Sequence, residues 1–325
     1  MRVEPDAGQS AEERAVLARM TQTILARADL TITPRESTHP AVIETAHVAQ
    51  RVLHAEPPDP QRLEALGRML ERARADIADP PPELAWPVDL VAPRAHLQRS
   101  VARALKAIPK RDDDTTTAPA STVVAWRDAD TDTVRETTRL LAEVWPEASA
   151  ELGEILVQIA LLDGAAIDGF TDFGVHGAVF IRRDRLDRSA HGLPGPIRLA
   201  EALVHEGTHT RCNAATVAAE PFLRRLAEDD GPLVATPLRA DPRPLTGLFQ
   251  QAVVLARSVL LYRRLLDAGP AATPTEAADA VRSRHDLLAR SAIDAVGTLR
   301  EHRCALTEHG LSVLEQAADV ARTHA

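Results

Sequence analysis

The sequence predicts a mainly α-helical α+β protein arranged around one metal-binding helix, and three observations predict it. Long stretches at both ends of the chain carry apolar residues three and four apart, the spacing of one helix face. Between them, short runs rich in Val, Ile and Phe at 121–126 and 178–181 read as strands. Residues 199–215, LAEALVHEGTHTRCNAA, combine helical spacing with His205-Glu206-Gly207-Thr208-His209. A small β-sheet is expected beside that helix, forming one wall of a site.

The chain has 325 residues, of which 45% are hydrophobic and 26% charged, an ordinary composition for a globular protein with a substantial core. Aromatic residues are only 3%, so Leu, Val, Ile and Ala must fill that core. The net charge of −9 argues against nucleic acid or an anionic membrane surface as partner. Cys212 and Cys304 are too few for a disulfide framework, which fits a reducing, cytoplasmic setting. No apolar segment follows Met1 as a signal peptide would. The best apolar run, 252–261, is broken by Arg257 and too short to span a bilayer.

Taken in order, residues 12–28, 40–52, 60–77 and 88–108 read as helices, separated by the proline-rich joints 56–60 and 80–82. They make a helical N-terminal region, 1–110, in which His39, His47, His54 and His96 read as surface or core histidines. Residues 111–120 are polar, without apolar periodicity, and read as a linker or loop. The metal-site domain spans 121–325. In it 131–144 and 150–162 read as helices, the second well buried, and 184–196 as a loop. Residues 232–237 read as extended. Helices are expected at 245–266, 275–299 and 302–323, with Arg263, Arg264, His285 and His309 solvated.

The chemistry rests on the H-E-x-x-H. Residues four apart on a helix lie on the same face, so His205 and His209 can present two imidazoles to one ion. Glu206 lies next to His205, placed to act on a metal-bound water or to become a further ligand. A chance match is expected in roughly three chains in a hundred of this composition, and the helical setting, opened by Pro194-Gly195-Pro196, favours a real site. Two histidines need a third donor. The peptidase extension H-E-x-x-H-x-x-G-x-x-H fails, because Cys212 and Ala215 stand at its Gly and last His. Glu220 and Glu228 are available further on, yet neither opens an E-x-x-x-D. Cys212 shares the histidine face and reads as a small buried residue rather than a thiolate ligand. His176 and His191 are within sequence reach, with surface positions the simpler reading.

A second motif follows about thirty residues later: Arg239-x-Asp241-Pro242-Arg243-Pro244-Leu245-x-Gly247-Leu248. With His205-Glu206-x-x-His209 it resembles the H-E-x-x-H proteins of peptide natural-product clusters, several of which are iron- and 2-oxoglutarate-dependent peptide β-hydroxylases. The resemblance extends weakly to Gly177-Ala178-Val179-Phe180 and Leu306-Thr307-x-x-Gly310 and covers roughly the last half of the chain. It implies Fe(II) on His205 and His209, 2-oxoglutarate on two open positions, and Arg243 or Arg239 on the distal carboxylate, with Asp241 orienting one of them. Capping of the next helix by Asp241 and surface pairing of both arginines is an equally good account of that segment. The family's further histidine is replaced here by Gln250, implied as a weaker third metal ligand; Glu206 or His176 would be the substitutes.

The expected function is therefore a non-haem Fe(II)/2-oxoglutarate-dependent oxygenase that hydroxylates a peptide or carrier-bound amino acid. The alternatives are a zinc-dependent hydrolase with Glu206 as general base, and a binding protein that kept the fold without turnover.

Overall fold

The computed structural model describes residues 1–55, 60–77, 84, 86–108, 120–224, 232–239 and 241–324. The fold is α+β and mainly helical, with a small mixed sheet. In order the elements are α1 (Ala7–Ala26), α2 (Pro40–Leu53), α3 (Pro60–Ala75), β1 (Asp89–Val91), α4 (Ala95–Ala107) and β2 (Ser121–Val124). Then come α5 (Asp128–Val144), α6 (Pro146–Ile155), β3 (Gln158–Gly164), β4 (Gly169–Thr171), β5 (Ala178–Arg182) and α7 (Gly195–Ala218). The chain ends with β6 (Leu233–Val234), β7 (Arg243–Pro244), α8 (Leu245–Ala268), α9 (Ala278–Glu301) and α10 (Glu308–His324). The joints 56–59 and 80–82, residues 111–119 of the expected linker, and Glu228 lie outside the described residues.

Helix starts follow local chemistry. Asp6 caps α1, accepting from the Gln9 N–H at 2.9 Å. Pro40, Pro146 and Pro196 occupy the first turns of α2, α6 and α7, where the missing N–H costs nothing. At the far end of α8, Gly269 adopts φ 61°, a conformation that suits glycine, and turns the chain toward α9.

The sheet is centred on β3. β1 and β5 run parallel to it, β2 antiparallel, and β4 pairs antiparallel with β5 at the edge. Alternation along β3 divides the core. Ile159 and Leu161 join Val179 and Ile181 against the helical layer that contains α6 to α10. Ala160 and Leu162 join Ala178, Phe180 and Val91 on the opposite face, which is covered by Leu97 and Val101 of α4. Being buried on both faces, β3 has a continuous apolar sequence, which reads equally well as part of a helix. That corrects the expected helix at 150–162: α6 ends at Ile155 and a strand follows. The expected helix at 88–108 likewise opens with the strand β1.

The N-terminal region shares the core of the rest. β1 is hydrogen-bonded into the sheet, and Met1 and Val3 belong to the same apolar cluster as α7 and α8. A second cluster, including Leu25, Val42, Leu66 and Leu70, holds α1, α2 and α3 together. Of the C-terminal histidines expected to be solvated, His285 is buried instead, and the half-buried His309 meets the Met1 ammonium through Nε2 at 2.9 Å.

α8 runs unbroken through Arg257. Within Leu245–Ala271, long and apolar enough to cross a membrane by composition, 78% of the apolar window is buried inside the protein, the behaviour of a core helix. Arg257 survives there because its guanidinium bonds the Glu151 carboxylate and the carbonyls of Arg2 and Val3.

Candidate metal centre

α7 supplies the site, and its packing fixes which way it faces. On its back, Arg211 is fully buried and bonds Glu13 of α1 and Glu151 of α6. Gly207 faces α6, where an added Cβ would stand 2.3 Å from Leu152 Cδ2. The glycine within H-E-x-x-H is thus what lets the two helices approach. Thr208 and Thr210 turn their hydroxyls onto the carbonyls of Val204 and Glu206, at 2.6 and 3.0 Å, so neither hydroxyl is stranded in the core.

The front carries His205, His209 and Asn213 at four-residue intervals. The two imidazole rings lie with centroids 5.0 Å apart and planes tilted by 60°. Two imidazoles bound to one ion through nitrogens at 2.0–2.1 Å bring their centroids to about 5 Å, so the separation fits a shared ion. His209 Nδ1 donates to Gln250 Oε1 at 2.7 Å, and Gln250 Nε2 donates to Asn213 Oδ1 at 3.3 Å. An amide oxygen only accepts, so the proton sits on Nδ1 and the Nε2 lone pair is left for a ligand. Gln250, implied by the resemblance as a third ligand, has its amide oxygen engaged by His209 Nδ1, the position from which a neighbouring group would orient that ring.

Both rings are neutral at neutral pH. Burial depresses His205 well below the usual imidazole range, with His209 and the charges of Arg185, Arg239 and Arg284 adding to the effect. Burial also lowers His209, opposed by its bond to Gln250. Each ring keeps a partly exposed surface. Glu206 is buried, and burial pushes its carboxyl up to about 8 against the pull of Arg185 and Arg239. Among the described residues its Oε2 has no hydrogen-bond partner. Its Oε1 lies close to Gly169 of β4, where an added Cβ would approach to 2.9 Å. The edge strand therefore forms the expected wall, and a glycine there leaves room for the carboxylate.

The two arginines of the second motif separate. Arg239, on the turn before β7, is exposed, and its charge acts on His205, Glu206 and His209 alike. Arg243 is paired with Asp241, Nε to Oδ2 at 2.9 Å, and is not among the charges that perturb those three groups. Two further cations were not found by sequence reasoning. Arg185 follows β5, and Arg284 on α9 is locked to Glu201, which also accepts from Tyr262 Oη at 2.6 Å. Asn213 had a legible signal, since it continues the stripe of His205 and His209 one turn on. Arg185 and Arg284 had none.

The other candidates lie elsewhere. His176 is buried beside Val157 and Phe173, on the side of Arg14 and His47, where burial pushes it down to about 4. It shares a pocket with Arg211 and Ala214 of α7 rather than with His205 and His209. His191 is exposed in its loop. Cys212 is buried with its thiol pushed up to about 12, the state of a small core residue rather than a thiolate. Glu220 follows α7 and is exposed, with its carbonyl bonded to His309 Nδ1.

Among the described residues no group of three or more His, Cys, Asp or Glu side chains stands as a complete metal-ligand set. The donors present fit an ion held by two imidazoles beside an orphaned carboxylate, with remaining positions open to exogenous ligands. No protein-family model matches the chain, and no curated protein matches it.

Proposed function

We propose that this protein is a non-haem Fe(II)/2-oxoglutarate-dependent oxygenase that hydroxylates a peptide or a carrier-bound amino acid. The observation that carries the reading is the pairing of two neutral, converging imidazoles with the charge of Arg239. A neutral two-histidine site flanked by guanidinium groups suits a metal whose cosubstrate is an anion. When bound, iron with 2-oxoglutarate and O₂ supplies the oxidation: the keto acid becomes succinate and CO₂, and one oxygen atom enters a substrate C–H bond. His205 and His209 would hold the ion, His209 through Nε2, while Gln250 keeps the His209 ring in place through Nδ1. Arg239 would anchor the distal carboxylate, with Arg185 adding positive potential. Glu206, buried and without a partner for Oε2, is suited to hold a proton at the site.

The orphaned Glu206 Oε2 also favours a second reading, a zinc-dependent hydrolase in which Glu206 takes the proton of a metal-bound water. Metal and cosubstrate separate the two. Protein purified without oxygen should carry iron or take it up stoichiometrically, and 2-oxoglutarate added under nitrogen should give a visible charge-transfer band. His205→Ala should abolish both. Zinc in the purified protein with no response to 2-oxoglutarate would favour the hydrolase. Failure to bind any metal would leave the reading of a binding protein that kept the fold.

A further inference from the structure

At the start of β3, where α1, α2, α6, β1 and β3 meet, lies a cavity of about 210 Å³ with no residue in common with the metal centre. His39, the residue just before α2, is 6% exposed and lines it together with Gln158 at the start of β3. The Gln158 amide bridges two buried rings: Nε2 donates to His39 Nε2 at 3.2 Å, and Oε1 accepts from His96 Nε2 at 2.9 Å. Because His39 Nε2 accepts, its proton must sit on Nδ1. That N–H is buried with no partner among the described residues. A buried donor left unmatched is costly, so a fold that keeps one beside a cavity offers it to something in that cavity.

Three further features define what would satisfy it. Arg14 lines the same cavity; its Nη1 is bonded to Glu154, leaving the Nε and Nη2 hydrogens for an acceptor. Asp89 stands level with Gln158 in the parallel β1–β3 pair, and residues so paired project from the same face of the sheet. Its carboxylate therefore shares the cavity with His39. Leu156 and Val157 supply apolar wall. A buried donor, the cations Arg14 and Arg35, a carboxylate and apolar surface lining one cavity are complementary to a carboxylate, an ammonium and a hydrocarbon side chain on one small molecule.

We propose that this cavity is a binding site for a free α-amino acid with a small apolar side chain, its carboxylate on His39 Nδ1–H and Arg14 and its ammonium on Asp89. The cavity is larger than one of about 150 Å³ that holds a benzene ring, which leaves room for a residue of valine or leucine size. Burial holds His39 down to about 4, so the ring stays neutral and keeps this donor at neutral pH. Burial also raises the Asp89 carboxyl, a penalty that an ammonium beside it would offset. The site is independent of the reading given to His205 and His209.

The test is calorimetric titration of the full-length protein with L-leucine, isocaproate, which lacks the ammonium, and isoamylamine, which lacks the carboxylate. L-leucine should bind once per chain. Each analogue should bind more weakly by about tenfold or more, having lost one charge-assisted contact. Asp89→Asn should bring L-leucine down to the affinity of isocaproate, whereas His205→Ala should leave it unchanged. The proposal is overturned if L-leucine shows no saturable binding up to about 10 mM, if the three compounds bind equally, or if Asp89→Asn retains full affinity. Should that variant fail to fold, the analogue series on the wild-type protein decides.

Discussion

Gln250 and His209, on α8 and α7, meet through a 2.7 Å hydrogen bond from the imidazole Nδ1 to the amide oxygen. The bond fixes the ring's tautomer and orientation, so on the proposed function Gln250 would act on the metal through His209. Gln250→Ala should lower Fe(II) affinity about tenfold or more, while Gln250→Glu, which supplies a stronger acceptor at the same place, should preserve or raise it. Direct Fe(II) titration under nitrogen is the measurement. An unchanged affinity in Gln250→Ala would remove the orienting role, and a gain in Gln250→His would restore position 250 as a ligand.

Arg239 and Arg243 should behave differently although they stand in one motif. Arg239→Ala should weaken 2-oxoglutarate binding to the Fe(II) protein by about tenfold or more, the loss of a charge-assisted contact. Arg243→Ala breaks an exposed pair with Asp241 and should have little effect. The intensity of the charge-transfer band against 2-oxoglutarate concentration reports both, and equal effects would sink the distinction.

Gly207 is required by packing rather than by chemistry. Gly207→Ala drives a methyl into Leu152 Cδ2 and should cost about 1–3 kcal/mol in urea unfolding, the usual penalty of an overfilled core. Combining it with Leu152→Ala should recover part of that loss. If the double variant is as unstable as the sum of the two singles, the contact is not the cause.

The two cysteines should differ sharply toward a thiol reagent. Cys304 is exposed, whereas Cys212 is buried with its thiol pushed up to about 12. The native protein should give one reactive thiol per chain at neutral pH and two after denaturation. Rapid labelling of both in the native state would contradict the packing of α7.

Stability should decline on mild acidification. Burial lowers both His39 and His176 from 6.5 to about 4, so the folded state resists a proton that the unfolded chain accepts. The stability from these neutral rings is fully present above pH 6.5 and is lost as pH falls toward 4. Each contributes a slope of at most about 1.4 kcal/mol per pH unit. Unfolding measured across that window should steepen accordingly, and His176→Gln should flatten the curve by about one proton's slope. A profile identical to wild type would mean that His176 titrates normally in the fold.

The sequence by itself determined what depends on residues close along the chain. A helix turns every 3.6 residues, so His205 and His209 had to share a face, and Asn213 with them. The edges of most helices were legible for the same reason, as were the strands at 121–124 and 178–182. Tertiary structure decided everything that depends on which surfaces meet. Buried on both faces, β3 has the apolar run of a buried helix, and only its pairing with β1, β2 and β5 settles the matter. Gln250 reaches His209 across 41 residues, and its duty as an orienting acceptor follows from helix packing that no motif encodes. Arg239, Arg185 and Arg284 come from three separate parts of the chain to act on one imidazole, that of His205. Charge acts through space, and the order of residues along the backbone does not record which of them the fold brings within reach.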